Sequence, residues 1–108
     1  MKFTKGGDVT MTCLQEVFPA TYEELVGCFG EPEEGDGYKV QAEWILTFED
    51  GTVATIYDWK MGECYWGEGE GVPPQQVGEW HIGGYSKAAA LRVRATLRDH
   101  VMNVGAVR

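Results

Sequence analysis

The sequence is short of base: nine Lys and Arg stand against 17 Asp and Glu, for a formal charge of −8. Phosphates are held by an excess of Lys and Arg, so direct attachment to nucleic acid is not expected. Long apolar runs are missing as well. The longest spans a few residues against the roughly 20 that cross a bilayer, and the opening Met1-Lys2-Phe3-Thr4-Lys5-Gly6-Gly7 has no signal-peptide core. The expectation is a soluble, cytoplasmic protein with no membrane partner. Cys13, Cys28 and Cys64 are odd in number and widely spaced, which makes neither a disulfide framework nor a zinc pattern and leaves them as packing residues. Catalytic signatures are absent too: no Ser-His-Asp order with a nucleophile elbow, no HExxH and no Cys-His nucleophile context. His81 and His100 stand too far apart in sequence for a ligand pair. No catalytic residue, metal or cofactor is expected.

What is present fits one domain, residues 1–108, since 108 residues with 44% apolar content suffice for a single core. Charge is uneven along it. Residues 1–80 carry 16 acids and four bases, a net −12, whereas residues 81–108 carry five bases and one acid, a net +4. Either the basic C-terminal stretch lies against acidic parts of the same molecule, or it forms an anion site.

Periodicity divides the chain. Val9-Thr10-Met11-Thr12-Cys13-Leu14 alternates as a short strand. Thr21 with Glu24 makes a capping box for a helix over about 22–29, with Leu25, Cys28 and Phe29 on one face and Gly30 and Pro32 as its stop. Val40, Ala42, Trp44, Leu46 and Phe48 alternate with polar neighbours, and Asp50-Gly51 turns the chain into Thr52–Tyr57. A two-residue turn would set Glu43 against Asp58; a three-residue turn with Gly51 as the bulge sets Trp44 against Ile56 and Glu43 beside Tyr57. The second register is favoured because it avoids the like-charge pair. Residues 61–79, rich in Gly and Glu, read as a long loop or lid holding Tyr65 and Trp66. Glu79–Ile82 reads as a strand, and Gly83-Gly84 turns into a helix over about 87–101 with Ala90, Val93, Leu97 and Val101 buried and Ala89 and Leu91 beside them. The expected fold class is α+β: a small antiparallel sheet of three to four strands around the central hairpin, with two helices packed on one face. The other face is left to solvent or a partner, and a homodimer or higher homo-oligomer is expected through it.

Three groups of residues carry possible chemistry. Gly83, Gly84, Ser86 and Lys87 could seat a phosphate at a helix N-terminus, or be a tight strand-to-helix connection capped by Ser86. The segment matches neither the phosphate-binding loop nor the GxGxxG fingerprint. Tyr57, Trp59 and Trp80 could wall a flat base, with Asp58 or Thr55 as hydrogen-bond partners and Lys60 for charge, or could be an aromatic core layer. His81 beside Trp80 joins this set, or is a partly buried histidine bonded to the backbone. The third group is Glu31, Glu33, Glu34, Asp36, Glu68 and Glu70, an acidic surface for a basic partner.

The runs Phe29-Gly30-Glu31-Pro32, Glu43-Trp44, Gly51-Thr52-Val53-Ala54-Thr55-Ile56-Tyr57-Asp58-Trp59-Lys60 and Trp80-His81-Ile82-Gly83-Gly84 resemble those of uncharacterised small proteins encoded by bacteriophages and large DNA viruses. The resemblance covers roughly residues 20 to 90 and implies an accessory role against host defence, in the host cytoplasm. Two mechanisms follow. One is a non-catalytic sponge for a small phosphorylated or nucleotide immune signal, in which loss of Trp59, Trp80 or Lys87 abolishes binding and spares the fold. The other is an acidic inhibitor that occupies the nucleic-acid channel of a host defence protein.

Overall fold

The computed structural model describes residues 2–35, 39–59 and 71–107, with side chains to residue 102 in the last helix. Six strands and two helices follow in the order β1 (Phe3–Lys5), β2 (Cys13–Pro19), α1 (Tyr22–Phe29), β3 (Glu33–Glu34), β4 (Ala42–Phe48), β5 (Val53–Tyr57), β6 (Glu79–Gly84) and α2 (Ala88–Val107), with a 3-10 turn at Pro74–Gln76. The class is α+β. All strand pairs are antiparallel, in the spatial order β1-β4-β5-β6-β2, and β3 shares the outer edge of β4 with β1. The sheet therefore has six strands where three to four were expected.

The extra strands escape sequence patterning for physical reasons. β1 and β3 have three and two residues, too few to show a period. β2 starts where the expected strand at 9–14 was ending, because its register shifts between Leu14 and Glu16. That bulge puts Leu14 out of phase with Val17 and Phe18 and hides the alternation. Gln15 satisfies the irregularity with its own amide, which donates to the carbonyls of Gly84 at 2.9 Å and Cys13 at 3.3 Å. The Val9–Thr12 stretch is a turn instead, with the backbone N–H of Thr12 bonded to the Val9 carbonyl.

The local signals at α1 are realised atom by atom. The Thr21 hydroxyl accepts from the Glu24 N–H at 3.0 Å, and the Glu24 carboxylate accepts from the Thr21 N–H at 2.9 Å. Gly30 ends the helix at φ +86°, a backbone conformation that costs glycine nothing. Two tryptophans of the sheet then pin this helix at both ends. Trp80 Nε1 donates to the Ala20 carbonyl before it at 3.1 Å, and Trp44 Nε1 donates to the Gly30 carbonyl after it at 2.7 Å.

The hairpin takes the three-residue turn: Glu43 pairs with Tyr57, Trp44 with Ile56 and Leu46 with Ala54, and Gly51 has φ +89°. Asp50 stiffens the turn. Its carboxylate accepts from the Thr52 N–H and pairs with Arg92 at 2.9 Å, and these bonds hold its pKa down to about 2. Alternate residues of β4, β5 and β6 (Trp44, Leu46, Phe48, Ile56, Trp80, Ile82) form one buried cluster with Leu25 and Phe29 of α1 and Ala89, Ala90, Val93 and Leu97 of α2. Trp44 and Trp80 meet edge to face at 5.4 Å, with Tyr22 beside both. Cys28 sits between the helices, its thiol near the Thr96 carbonyl; burial pushes its pKa up to about 11 and keeps it protonated. Cys64 lies outside the described residues.

Two expectations near the C-terminus change. Gly83 and Gly84 belong to β6 and are paired on both sides, with Thr55 and Leu14 and with Ala54 and Cys13; the turn into α2 falls at Tyr85–Lys87. A Cβ on Gly84 would come within 2.3 Å of Ala89 Cβ, so glycine here lets α2 close on the sheet. The buried stripe of α2 keeps Ala89, Ala90, Val93 and Leu97 but leaves Leu91 61% and Val101 42% exposed. Of the basic residues of α2, Arg94 pairs with Glu16 and Arg92 with Asp50, both at 2.9 Å. To that extent the basic helix settles against acids of its own molecule.

Candidate binding recess on the sheet face away from the core

Alternation sends Glu43, Ile45, Tyr57, Thr55, His81, Gly83 and Leu14 to the face opposite the Trp44/Trp80 core. The chain between β1 and β2 folds onto this face and closes a recess of about 220 Å³, whose walls include Val9, Leu14, Glu43, Thr55, Tyr57 and Trp59. Gly83 forms part of its floor. A Cβ there would stand 2.6 Å from Thr55 Oγ1, so the space above the Thr55 hydroxyl exists because residue 83 has no side chain. Thr55 is only 4% exposed, and it lines the recess.

The aromatic residues here support one another. Tyr57 stacks on His81, with ring centroids 5.5 Å apart and planes at 23°, and meets Trp59 edge-on at 6.3 Å. Lys39 Nζ lies 5.4 Å over the Trp59 ring. Trp59 keeps 38% of its surface exposed. Burial, reinforced by the charge of Glu43, raises the Tyr57 pKa, so the phenol keeps its proton at neutral pH.

The nucleotide-site residues expected from sequence are thus divided. Tyr57, Trp59, His81 and Gly83 come together. Trp80 has no exposed surface and points into the core, as its place next to His81 in a strand requires. Gly84 faces α2. Ser86 accepts from the Ala88 N–H at 3.3 Å, the capping role, while Lys87 is exposed at the start of α2 and does not line the recess. Lys60 lies outside the described residues. In the acidic group, Glu31, Glu33 and Glu34 are exposed on the sheet edge, and Lys5 donates to the Glu31 carbonyl; Asp36, Glu68 and Glu70 lie outside the described residues. So do residues 61–70 of the expected lid with Tyr65 and Trp66. Its last part is not loose, since Val77 is buried and the Gln41 amide donates to the Val72 carbonyl at 2.8 Å. Sequence reading missed Glu43 as a wall residue and the 9–14 segment as a cover; the one available signal was a glycine inside a strand, which marks a close approach.

Two buried titratable groups border the site. Asp58 is 0% exposed; its Oδ1 accepts from the N–H groups of Gln41 and Ala42, both at 3.0 Å, and its Oδ2 has no partner among the described residues. Burial raises its pKa, and the two N–H bonds pull it partly back. His81 Nδ1 is also buried without a partner among the described residues, and desolvation lowers the His81 pKa against the pull of Glu79 and Asp58. A histidine whose folded pKa is lowered stabilises fully above its unfolded value of about 6.5 and loses that contribution as pH falls through the folded value. In urea unfolding between pH 7.5 and 5.5, wild type is expected to lose stability relative to His81→Gln; parallel curves would show that the ring is not held neutral by the fold.

A second recess, of about 280 Å³, lies between Phe18 and Pro19 and the Leu97–Met102 stretch of α2. Its charged groups are partly committed, Arg94 to Glu16 and Glu24 to the α1 cap. Among the described residues no group of His, Cys, Asp and Glu is arranged to hold a metal, and no helix is long and apolar enough to cross a membrane. Comparison with protein-family models, with curated proteins and with solved structures finds no match to this chain.

Proposed function

We propose that this protein is a non-catalytic binding protein that captures a small, flat, nucleotide-like ligand in the recess between Trp59 and the Val9–Leu14 segment. The reading takes both helices to lie on the core side of the sheet, which leaves the opposite face open to a ligand. The observation that carries it is the recess itself: Thr55, a polar residue only 4% exposed, lines it beside the space that Gly83 leaves, so a ligand seated there meets its hydroxyl. The open space that Gly83 leaves beside it, and the partly exposed Trp59 ring, are what an oriented flat ligand needs. The resemblance to small proteins of phages and DNA viruses supports sequestration of a host immune signal as the use of such a pocket. Exposed Leu14 and Val17 next to the recess support a homodimer.

Native mass spectrometry after incubation with the small-molecule filtrate of a cell lysate tests this. The expected result is a mass step of a few hundred daltons per site that denaturation releases unchanged, lost in Trp59→Ala and reduced in Thr55→Val. Turnover of the bound molecule would make the protein an enzyme. Bare protein would remove the pocket reading and turn attention to the exposed Glu31, Glu33 and Glu34 edge as the surface of an inhibitor, whose complex would weaken steeply with salt.

A further inference from the structure

Between β1 and β2 the chain makes a flap that is fixed at its two ends. At one end Gly6 is bonded to β4 twice, its N–H donating to the Ile45 carbonyl and its carbonyl accepting from the Thr47 hydroxyl, both at 2.8 Å. At the other, Cys13 is paired with Gly84 in the β2–β6 ladder. Residues 7–12 between these anchors bond chiefly to one another. The Asp8 carboxylate accepts from the Thr10 N–H at 2.9 Å, and the Val9 carbonyl accepts from the Thr12 N–H at 3.1 Å and the Thr12 hydroxyl at 2.8 Å. Among the described residues, the hydrogen bonds that join 7–12 to anything outside the 6–13 stretch end on one atom. That atom is the Tyr85 hydroxyl, 3.0 Å from the Asp8 carbonyl and 2.7 Å from the Thr10 carbonyl. A hydroxyl has a single proton to donate, so it holds one of the two carbonyls at a time.

The closed position of this flap is strained. Met11 sits at φ +67°, a left-handed conformation that costs a residue with a side chain, and that side chain is 86% exposed, so packing returns little of the cost. Val9 and Thr12 of the flap line the recess together with Thr55, Tyr57 and Gly83. With the flap down the recess holds about 220 Å³, less than the roughly 300–1,000 Å³ of ordinary small-molecule sites. A nucleotide-sized ligand needs more room than that. Resting on the recess as the ligand site, we infer that residues 7–12 are a latched flap over it: the ligand enters when the Tyr85 hydroxyl releases the Asp8 and Thr10 carbonyls and the flap swings out on Gly7.

Thiol labelling of the full chain tests this without a ligand. In Thr55→Cys, alkylation of residue 55 by iodoacetamide, read by peptide mass spectrometry, is expected to be slow beside that of the exposed Cys13. Adding Tyr85→Phe is expected to speed it about fivefold, the worth of one net hydrogen bond. Tyr85 is 54% exposed, so losing its hydroxyl is expected to leave the urea midpoint of the whole fold nearly unchanged. Labelling of residue 55 at the Cys13 rate, a rate unmoved by Tyr85→Phe, or an acceleration matched by an equal loss of global stability overturns the flap. Should Thr55→Cys fail to fold, subtilisin cleavage within residues 7–12 of the otherwise unsubstituted chain makes the same comparison: faster cutting in Tyr85→Phe supports the latch, and equal cutting overturns it. A failed latch with the mass step from the lysate filtrate still present leaves the binding protein standing. A working latch on a protein that stays bare removes the binding alone.

Discussion

Trp80→Ala is expected to cost about 3–5 kcal/mol, the range for deleting a large buried aromatic, which is a large share of the usual stability of about 5–15 kcal/mol. Two losses combine. The indole is 0% exposed and packs edge to face on Trp44, and its N–H holds the Ala20 carbonyl at the entry of α1. Removing it opens a cavity at the centre of the sheet and leaves the start of the helix untied. Trp59→Ala makes the contrast, because that ring is 38% exposed on the opposite face; its effect on stability is expected to stay within about 1 kcal/mol. Urea unfolding followed by circular dichroism measures both. A Trp80→Ala protein that folds as well as wild type and merely loses a ligand would move Trp80 from the core to the binding wall, as the sequence alone allowed.

Asp58→Ala is expected to destabilise by about 3 kcal/mol, since each buried donor left without an acceptor costs roughly 1–3 kcal/mol. The two donors are the N–H groups of Gln41 and Ala42, which Oδ1 accepts where the chain enters β4. Asp58→Asn keeps a carbonyl oxygen for them and is expected to cost less. It also separates the pH effect from the packing effect. Burial raises the Asp58 pKa, so the fold favours the protonated acid: its contribution is fully present below the unfolded value of about 3.9 and is lost as pH rises through the folded value. Relative to Asp58→Asn, wild type is therefore expected to gain stability on acidification from pH 7 to pH 4. A difference that stays constant over that range would mean the carboxyl is not strained by burial. The sign is opposite to that at His81, so the double variant is expected to show a flatter profile than either single one.

How far the sequence could be read depends on how local the cause is. The capping box at Thr21 and Glu24 and the stop at Gly30 are set within ten residues of chain, and α1 has the bounds the sequence suggested. The hairpin register followed from one comparison of charges, Glu43 against Asp58 or beside Tyr57, and a positive-φ residue at Gly51. β1 and β3 left no readable signal because their partners make them strands: Phe3 pairs with Phe48 and Glu33 with Glu43. The like-charge pair avoided in the hairpin reappears there, where Glu33 stands opposite Glu43 across β3 and β4.

The candidate site was half legible for the same reason. Tyr57, Trp59, His81 and Thr55 could be picked out by residue type, but type does not say which face a residue takes. Once Tyr57 pairs with His81, period-2 alternation puts Trp80 on the opposite side, and a wall made of Tyr57, Trp59 and Trp80 together is excluded. Gly83 and Gly84 looked alike in sequence and serve opposite faces, one beneath the recess and one beneath α2.

By itself the sequence determined the α+β class, the ends of α1, the register of the β4–β5 hairpin and the charge imbalance, because these depend on neighbours along the chain or on composition. The tertiary structure decided that β2 lies beside β6 and that the 9–14 segment lines one recess with Thr55, Tyr57 and Trp59. Those contacts join residues dozens of positions apart. They exist because Trp44, Trp80 and their neighbours on distant strands are buried in one cluster with residues of both helices, which no stretch of chain can form alone.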